Sequence, residues 1–215
     1  MKAIILCGGG GTRLWPESTP KQPKQFLKIH SENSLLAETV LRLLPIMRAE
    51  DMVVLTGDAY REQAVEELAN IGCEAAHVVC EPCARNTAPA IALGVTYIKE
   101  KLLSQADETI FVAPSDHIIS NRREFYHCLR LAEPLAQAGW FVTFGVVPYY
   151  PEVGYGYIEA ARNLASVTRL VVLRKSLLVR SPQNISKPET IIGIPGCFCS
   201  QRAAFLLNWL NMLMK

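Results

Sequence analysis

Short apolar runs alternate, along residues 1–146, with longer segments in which apolar positions recur every three or four residues. Runs of four to seven apolar residues are typical of strands buried on both faces, and the longer spacing is typical of amphipathic helices. The predicted strands are 3–7, 52–55, 75–79, 109–113 and 140–146; the predicted helices are 34–44, 58–69, one beginning at 86 or 87, and 120–139. Strict alternation of the two types predicts an α/β fold, mainly a parallel sheet with helices on both faces.

The first apolar run leads into a glycine-rich turn. Its residues are Gly8, Gly9, Gly10, Gly11, Thr12 and Arg13. Consecutive free N–H groups in such a turn, after a first parallel strand, make a concave site for a phosphate or the ribose beside it. Neither a Walker loop nor a dinucleotide fingerprint fits, because Thr12 and Arg13 stand where those motifs require Lys-Ser/Thr or another glycine. Lys21 and Lys24 add positive charge downstream.

A carboxylate follows the fourth predicted strand, in the segment 114–117, Pro-Ser-Asp-His. Open α/β sheets place ligands at this end of their strands. Asp116 can hold a hard cation there, since Mg²⁺ commonly takes one or two carboxylates and completes its shell with substrate phosphates. His117 either touches the ligand or is structural, and the sequence leaves both readings open.

Length and composition limit the class of protein. A chain of 215 residues, half of them apolar, can bury one substantial core. Five apolar residues before the glycines are too few for a secretory signal, and no run approaches a membrane span, so we expect a cytoplasmic protein without membrane contact. The seven cysteines are expected to be reduced thiols, and Cys80 and Cys83 lack the second pair that a zinc site needs.

Two segments carry a resemblance to a known family. They are residues 8–16, Gly-Gly-Gly-Gly-Thr-Arg-Leu-Trp-Pro, and residues 23–27, Pro-Lys-Gln-Phe-Leu. Together they resemble the sugar-nucleotide pyrophosphorylases, and among these the mannose-1-phosphate guanylyltransferases. The resemblance implies a Rossmann-like nucleotide-diphospho-sugar transferase fold, incomplete at the C-terminus. It also implies guanylyl transfer from GTP to mannose 1-phosphate, with Mg²⁺ as cofactor. We expect no nucleic-acid partner.

The resemblance also implies roles for individual residues. Those expected at the nucleotide are Gly8, Gly9, Gly10, Gly11, Thr12, Arg85, Asn86 and Thr87; those expected at the sugar are Gly154, Tyr155 and Gly156. Arg13, Lys24 and Asp116 are the expected catalytic residues, with the metal on Asp116.

The family pattern stops after Glu159, so we divide the chain into a GTP-binding nucleotidyltransferase domain, 1–159, and a divergent tail, 160–215, expected to be poorly ordered. The tail holds eight of the 22 Lys and Arg residues but one of the 20 Asp and Glu residues. Codons for the family's Asn-Ser-Gly-Met-Phe-Leu-Leu, read one nucleotide late, encode Ile-Pro-Gly-Cys-Phe-Cys-Ser, which is residues 194–200. We therefore hypothesise a frameshift between about Ala160 and Arg169, which sequencing of the locus would refute if the alternate frame lacked that segment.

Three alternatives remain open at this stage. The tail could be genuine, with 203–214 as a partner-binding or membrane-surface helix, and its basic charge could favour nucleic acid or an anionic surface. The enzyme could act on another hexose 1-phosphate. The chain could also be a degenerate fragment that at most binds GTP.

Overall fold

The computed structural model describes residues 1–9, 14–83, 86–105 and 107–146, and the backbone of four further strands at 157–159, 170–173, 179–180 and 190–200. The strands are β1 (Lys2–Cys7), β2 (Met52–Gly57), β3 (His77–Glu81), β4 (Ile110–Pro114), β5 (Phe141–Val146), β6 (Tyr157–Glu159), β7 (Leu170–Leu173), β8 (Val179–Arg180) and β9 (Thr190–Ser200). The helices are α1 (Leu35–Leu43), α2 (Arg61–Asn70), α3 (Thr87–Lys101) and α4 (Arg122–Gln137). The predicted α/β class and strand–helix alternation are confirmed.

The sheet has the order β3-β2-β1-β4-β9-β5-β7, and its first four strands are parallel. From β1 the chain moves outward to β2 and β3 on one side, then returns to place β4 on the other side of β1. In register, Cys7 of β1 lies opposite Thr56 of β2, and Leu6 opposite Pro114 of β4. The strand order therefore reverses between β1 and β4, where the connections leaving the two strands diverge and open a crevice.

Alternate residues of β1 pack on opposite faces of the sheet. Ala3, Ile5 and Cys7 belong to a core shared with α1, α2 and α4, whereas Ile4 belongs to a second core beneath α3. Because both faces are covered, every position from Ala3 to Cys7 is apolar, which explains the continuous apolar runs of the sequence.

Predicted and observed element boundaries differ by a few residues. The predicted helix 58–69 is a 3-10 turn at Asp58–Tyr60 followed by α2, and β3 begins two residues later than predicted, reaching Glu81. The predicted N-cap of α1 is confirmed, since the Ser34 hydroxyl accepts a hydrogen bond of 3.1 Å from the backbone N–H of Ala37.

Of residues 160–215 the structure describes three strand backbones. β9 lies in the main sheet, antiparallel to β4 and β5, and β7 pairs with β5. The division of the chain at residue 159 stays a prediction. Within the described part of the chain, no helix combines the length and the apolar character that crossing a membrane requires.

Gly94 lets α3 approach the sheet closely. A Cβ at this position would lie 2.8 Å from Ile4 Cδ1 and 3.1 Å from Leu55 Cδ1. We expect Gly94→Val to lower the free energy of unfolding by about 1–3 kcal/mol, because the added methyl groups overpack this interface. Lys99→Val, on the exposed side of the same helix, controls for the helix propensity of valine. Equal losses for the two variants in urea denaturation would contradict the close-packing explanation.

Candidate functional site

A cleft of about 170 Å³ opens at the carboxyl ends of β1 and β4, where the strand order reverses. It is lined by Leu6, Gly8, Gln25, Thr87, Pro114, Ser115 and Asp116. These residues come from four separate stretches of chain that the sheet topology brings together. Three of them, Gly8, Thr87 and Asp116, are among the site residues expected from the sequence.

The start of the glycine turn is held by a buried amide. Gln25 is 3% exposed, and its Nε2 donates to the carbonyl oxygen of Cys7 at 3.3 Å and to that of Gly9 at 3.5 Å. The Thr56 hydroxyl donates to the same Cys7 oxygen at 3.1 Å. Gly9 has a φ of +98°, which favours glycine. Sequence reasoning gave Gln25 no role, although it lies inside the quoted segment 23–27.

Lys24 and Asp116 meet at the cleft. The Lys24 ammonium nitrogen lies 3.3 Å from Asp116 Oδ2, and the two side chains are 34% and 38% exposed. An ion pair this exposed contributes little to stability. Both groups can therefore exchange their mutual contact for a ligand at small cost, and the structure brings together two of the three residues expected to be catalytic.

His117 lies on the other side of the Asp116 carboxylate. Its Nε2 is 3.8 Å from Asp116 Oδ1, and its side chain is 30% exposed. Burial lowers the pKa of His117, the nearby Asp116 carboxylate opposes that shift, and the positive charges of Lys24 and Arg42 add to it. The imidazole is therefore neutral at pH 7 and adds no charge to the site.

The N-terminus of α3 also reaches the cleft. Thr87 is the first residue of the helix and lines the cavity. Asn86 occupies the N-cap position with φ +68° and ψ −177°, and neither it nor Thr87 forms the side-chain cap that the sequence predicted. A non-glycine residue in this conformation is strained by about 1–3 kcal/mol. Because Thr87 lines the cleft, the N-terminus of α3, with its positive dipole end, lies at the cleft, which favours an anion.

Glu81 is a site neighbour that sequence reasoning missed. A Cβ built on Gly8 would lie 3.0 Å from Glu81 Oε1, so the carboxylate stands directly over the glycine. Burial raises the pKa of Glu81. The pairing of β3 with β2 could have revealed this position, because Glu81 lies opposite Gly57 at the carboxyl edge of the sheet. A carboxylate here would repel a phosphate and favour a hydrogen-bond donor.

Several expected site residues lie outside the described residues. They are Gly10, Gly11, Thr12, Arg13, Arg85, Gly154, Tyr155 and Gly156. Their roles stay predictions. Within the described ranges, no group of three or more His, Cys, Asp or Glu side chains is arranged to hold a metal ion.

Comparison with known families identifies the class of protein. The nucleotidyl transferase family model matches residues 2–171, and the chain belongs to this family. Among individual relatives, it is 40% identical over 157 residues to mannose-1-phosphate guanylyltransferase 2 of Escherichia coli O157:H7. It is 42% identical over 157 residues to the xanthan biosynthesis protein XanB of Xanthomonas campestris. These alignments cover 73% of this chain but only 32% and 33% of the relatives, so it spans about a third of their length.

Two solved structures share the fold. The mannose-1-phosphate geranyltransferase of Thermus thermophilus matches with a TM-score of 0.79 and 24% identity, covering 96% of this chain and 58% of the other. The mannose-6-phosphate isomerase of Helicobacter pylori matches with a TM-score of 0.69 and 25% identity, covering 97% and 73%. The expected nucleotidyltransferase fold is confirmed.

The lowered pKa of His117 predicts a pH dependence of stability. As pH falls through the ordinary value of 6.5, the unfolded chain takes up a proton before the folded chain does, so acid favours unfolding. The free energy of unfolding of the native protein should therefore fall between about pH 7 and pH 5.5 by an amount that His117→Gln does not show. Parallel urea-denaturation profiles for the two proteins across this range would contradict the assignment.

Proposed function

We propose that the protein transfers a guanylyl group from GTP to mannose 1-phosphate, forming GDP-mannose and pyrophosphate. The observation that carries the proposal is the contact between Lys24 and Asp116 beside the glycine turn, at the point where the strand order reverses. The names of the relatives support the choice of nucleotide and sugar.

The reaction brings together two polyanions. A phosphate oxygen of mannose 1-phosphate attacks the α-phosphorus of GTP. The bond between that phosphorus and the oxygen bridging the α- and β-phosphates breaks, and pyrophosphate leaves with the electron pair. No covalent enzyme intermediate is needed. The protein must hold both reactants in line and offset their negative charge, so cations and oriented N–H groups carry the catalysis.

The described residues supply such groups on one side of the cleft. Lys24 provides a cation that can leave Asp116 for a phosphate oxygen, and Gly8, Gly9 and the start of α3 provide backbone N–H groups. We assign Arg13 to the triphosphate and departing pyrophosphate, and Arg85, Asn86 and Thr87 to the base or ribose. The sugar is assigned to Gly154, Tyr155 and Gly156.

The donor set around Asp116 fits magnesium. One carboxylate, more than a third exposed at the cleft, can ligate an ion whose remaining positions are filled by phosphate oxygens and water. Asp116 would hold the ion, which when bound would offset negative charge at the α-phosphate. His117, neutral beside the carboxylate, leaves that charge available to a cation.

The proposal predicts the effects of two substitutions on GTP binding. We expect Lys24→Met to weaken GTP binding about tenfold, because a charge-assisted contact is lost. We expect Asp116→Asn to abolish the strengthening of GTP binding by Mg²⁺ while leaving metal-free binding in place. Lys28→Met is the matched control for Lys24→Met, since Lys28 is exposed and does not line the cleft. Isothermal titration with GTP, with and without Mg²⁺, measures each effect.

Two results would overturn parts of the proposal. Failure of the native chain to bind GTP would refute the nucleotide assignment. Binding of GTP without release of pyrophosphate in the presence of mannose 1-phosphate would favour the non-catalytic alternative. That outcome would agree with a chain that spans about a third of its relatives' length. The same assay on a version with the hypothesised reading frame restored would then show whether the missing segment supplies the activity.

Arg13 is predicted to act on the transition state. We expect Arg13→Met to lower the rate of pyrophosphate release about 100-fold, because a donor to the departing pyrophosphate is removed, while GTP affinity changes far less. Comparison of kcat with the calorimetric Kd for GTP tests this. Equal losses in the two quantities would show that Arg13 contributes to ground-state binding instead.

A further inference from the structure

We propose that Thr39 and Arg42, both on α1, are positioning residues that fix the Asp116 carboxylate for metal binding by holding the peptide carbonyls on either side of it. The inference rests on the proposed role of Asp116. Neither residue lines the cleft, and neither belongs to the segments that carry the sequence resemblance.

Arg42 turns inward from α1. Its side chain is 4% exposed, and its two terminal nitrogens donate to the carbonyl oxygen of His117 at 3.3 Å and to the Thr39 hydroxyl at 3.1 Å. Because Arg42 lies one turn after Glu38 on the helix, the i, i+4 spacing by itself predicts an ion pair between these two side chains. Glu38 pairs with Arg122 at 3.1 Å, and a hydrogen bond from Ser31 together with the nearby positive charges of Arg122 and Arg42 lowers the pKa of Glu38. Through its hydrogen bond to His117, the positively charged side chain of Arg42 contacts the loop that carries Asp116.

Thr39 extends this contact to the other side of Asp116. Its hydroxyl accepts from Arg42 and donates to the carbonyl oxygen of Ser115 at 3.4 Å, while the N–H of Ser115 donates to the Leu6 oxygen at 3.0 Å. One helix therefore holds the carbonyls of residues 115 and 117, and β1 holds the N–H of residue 115. Thr39 and Arg42 thus fix the backbone on both sides of Asp116 through its neighbours' carbonyl oxygens, and they leave the carboxylate itself to Lys24 and a ligand.

The neighbouring helix α4 holds Arg42 in this position. The guanidinium carbon of Arg42 lies 5.6 Å from the centre of the Phe125 ring, and the Tyr126 hydroxyl donates to the backbone oxygen of Arg42 at 2.8 Å. A buried guanidinium is expensive to desolvate, so a purely structural position would favour an apolar side chain of similar volume. Its hydrogen bonds to the loop account for the charged residue.

The test uses Thr39→Val, which removes the hydroxyl at nearly constant volume, and Thr39→Ser, which keeps it. Three quantities are measured: amide hydrogen exchange of residues 115–118 without ligand, the Kd for Mn²⁺ of the GTP complex, and the Kd for GTP without metal. We expect Thr39→Val to accelerate the exchange and to raise the Kd for Mn²⁺ about threefold to tenfold, with metal-free GTP binding unchanged. Thr39→Ser should match the native protein.

A second variant covers the case in which Thr39→Val unfolds because the Arg42 guanidinium loses an acceptor. The double variant Thr39→Val, Arg42→Met removes both ends of the contact, and we expect it to fold and to lose Mn²⁺ affinity. Arg122→Met, which removes the ion pair between Arg122 of α4 and Glu38 of α1, is the matched control and should change neither exchange nor Mn²⁺ binding.

The outcomes separate this inference from the proposed function. Native-like exchange in Thr39→Val, equal losses of Mn²⁺ and metal-free GTP binding, or identical behaviour of the Val and Ser variants would each overturn the positioning role. If the native chain binds neither GTP nor Mn²⁺, the proposed function fails. The exchange measurement then decides by itself whether α1 holds the loop.

Discussion

The parallel pairing of β1 with β2 on one side and β4 on the other is the constraint on which the site depends. It aligns Leu6 with Pro114 and Cys7 with Thr56, so the segments that follow β1 and β4 leave the sheet at the same edge. Gly8 and Asp116 are more than 100 residues apart in sequence and come to line the same cleft only through this register. A shift of one residue in the pairing of β1 would move each of its side chains to the opposite face of the sheet. The residues that lead into the glycine turn would then pack in the wrong core.

Buried polar side chains give the edge its precise shape. Gln25 and Thr56 hold the carbonyl at the end of β1, and Thr39 and Arg42 hold the carbonyls around Asp116. Each such group loses water on folding and is tolerated because it finds a partner. The apolar core thus positions the strands, and these hydrogen bonds position the loops between them. The groups left accessible, Lys24 and Asp116, are the ones a ligand would engage.

Much of the fold could be predicted because strands buried on both faces are continuous apolar runs in the sequence, and apolar residues at helical spacing lie between them. Ser34 also marked the start of a helix. The glycine turn and Asp116 were also predictable, since both follow apolar runs directly. The direction of Arg42 was not, because the rule for residues one turn apart considers a helix in isolation and ignores α4. Nor was the position of Glu81, whose contact with Gly8 depends on the register across β2.

The central claim is that a nucleoside triphosphate with its metal ion binds between the glycine turn and Asp116. Paramagnetic relaxation by Mn²⁺, added to the isotope-labelled protein with GTP, tests this most directly. The account predicts that backbone resonances of Gly8, Ser115 and Asp116 broaden strongly, while those at the opposite end of the same strands, Lys2 and Ile110, broaden much less. Broadening that spares Ser115 and Asp116, or that is strongest at the amino ends of the strands, would contradict it.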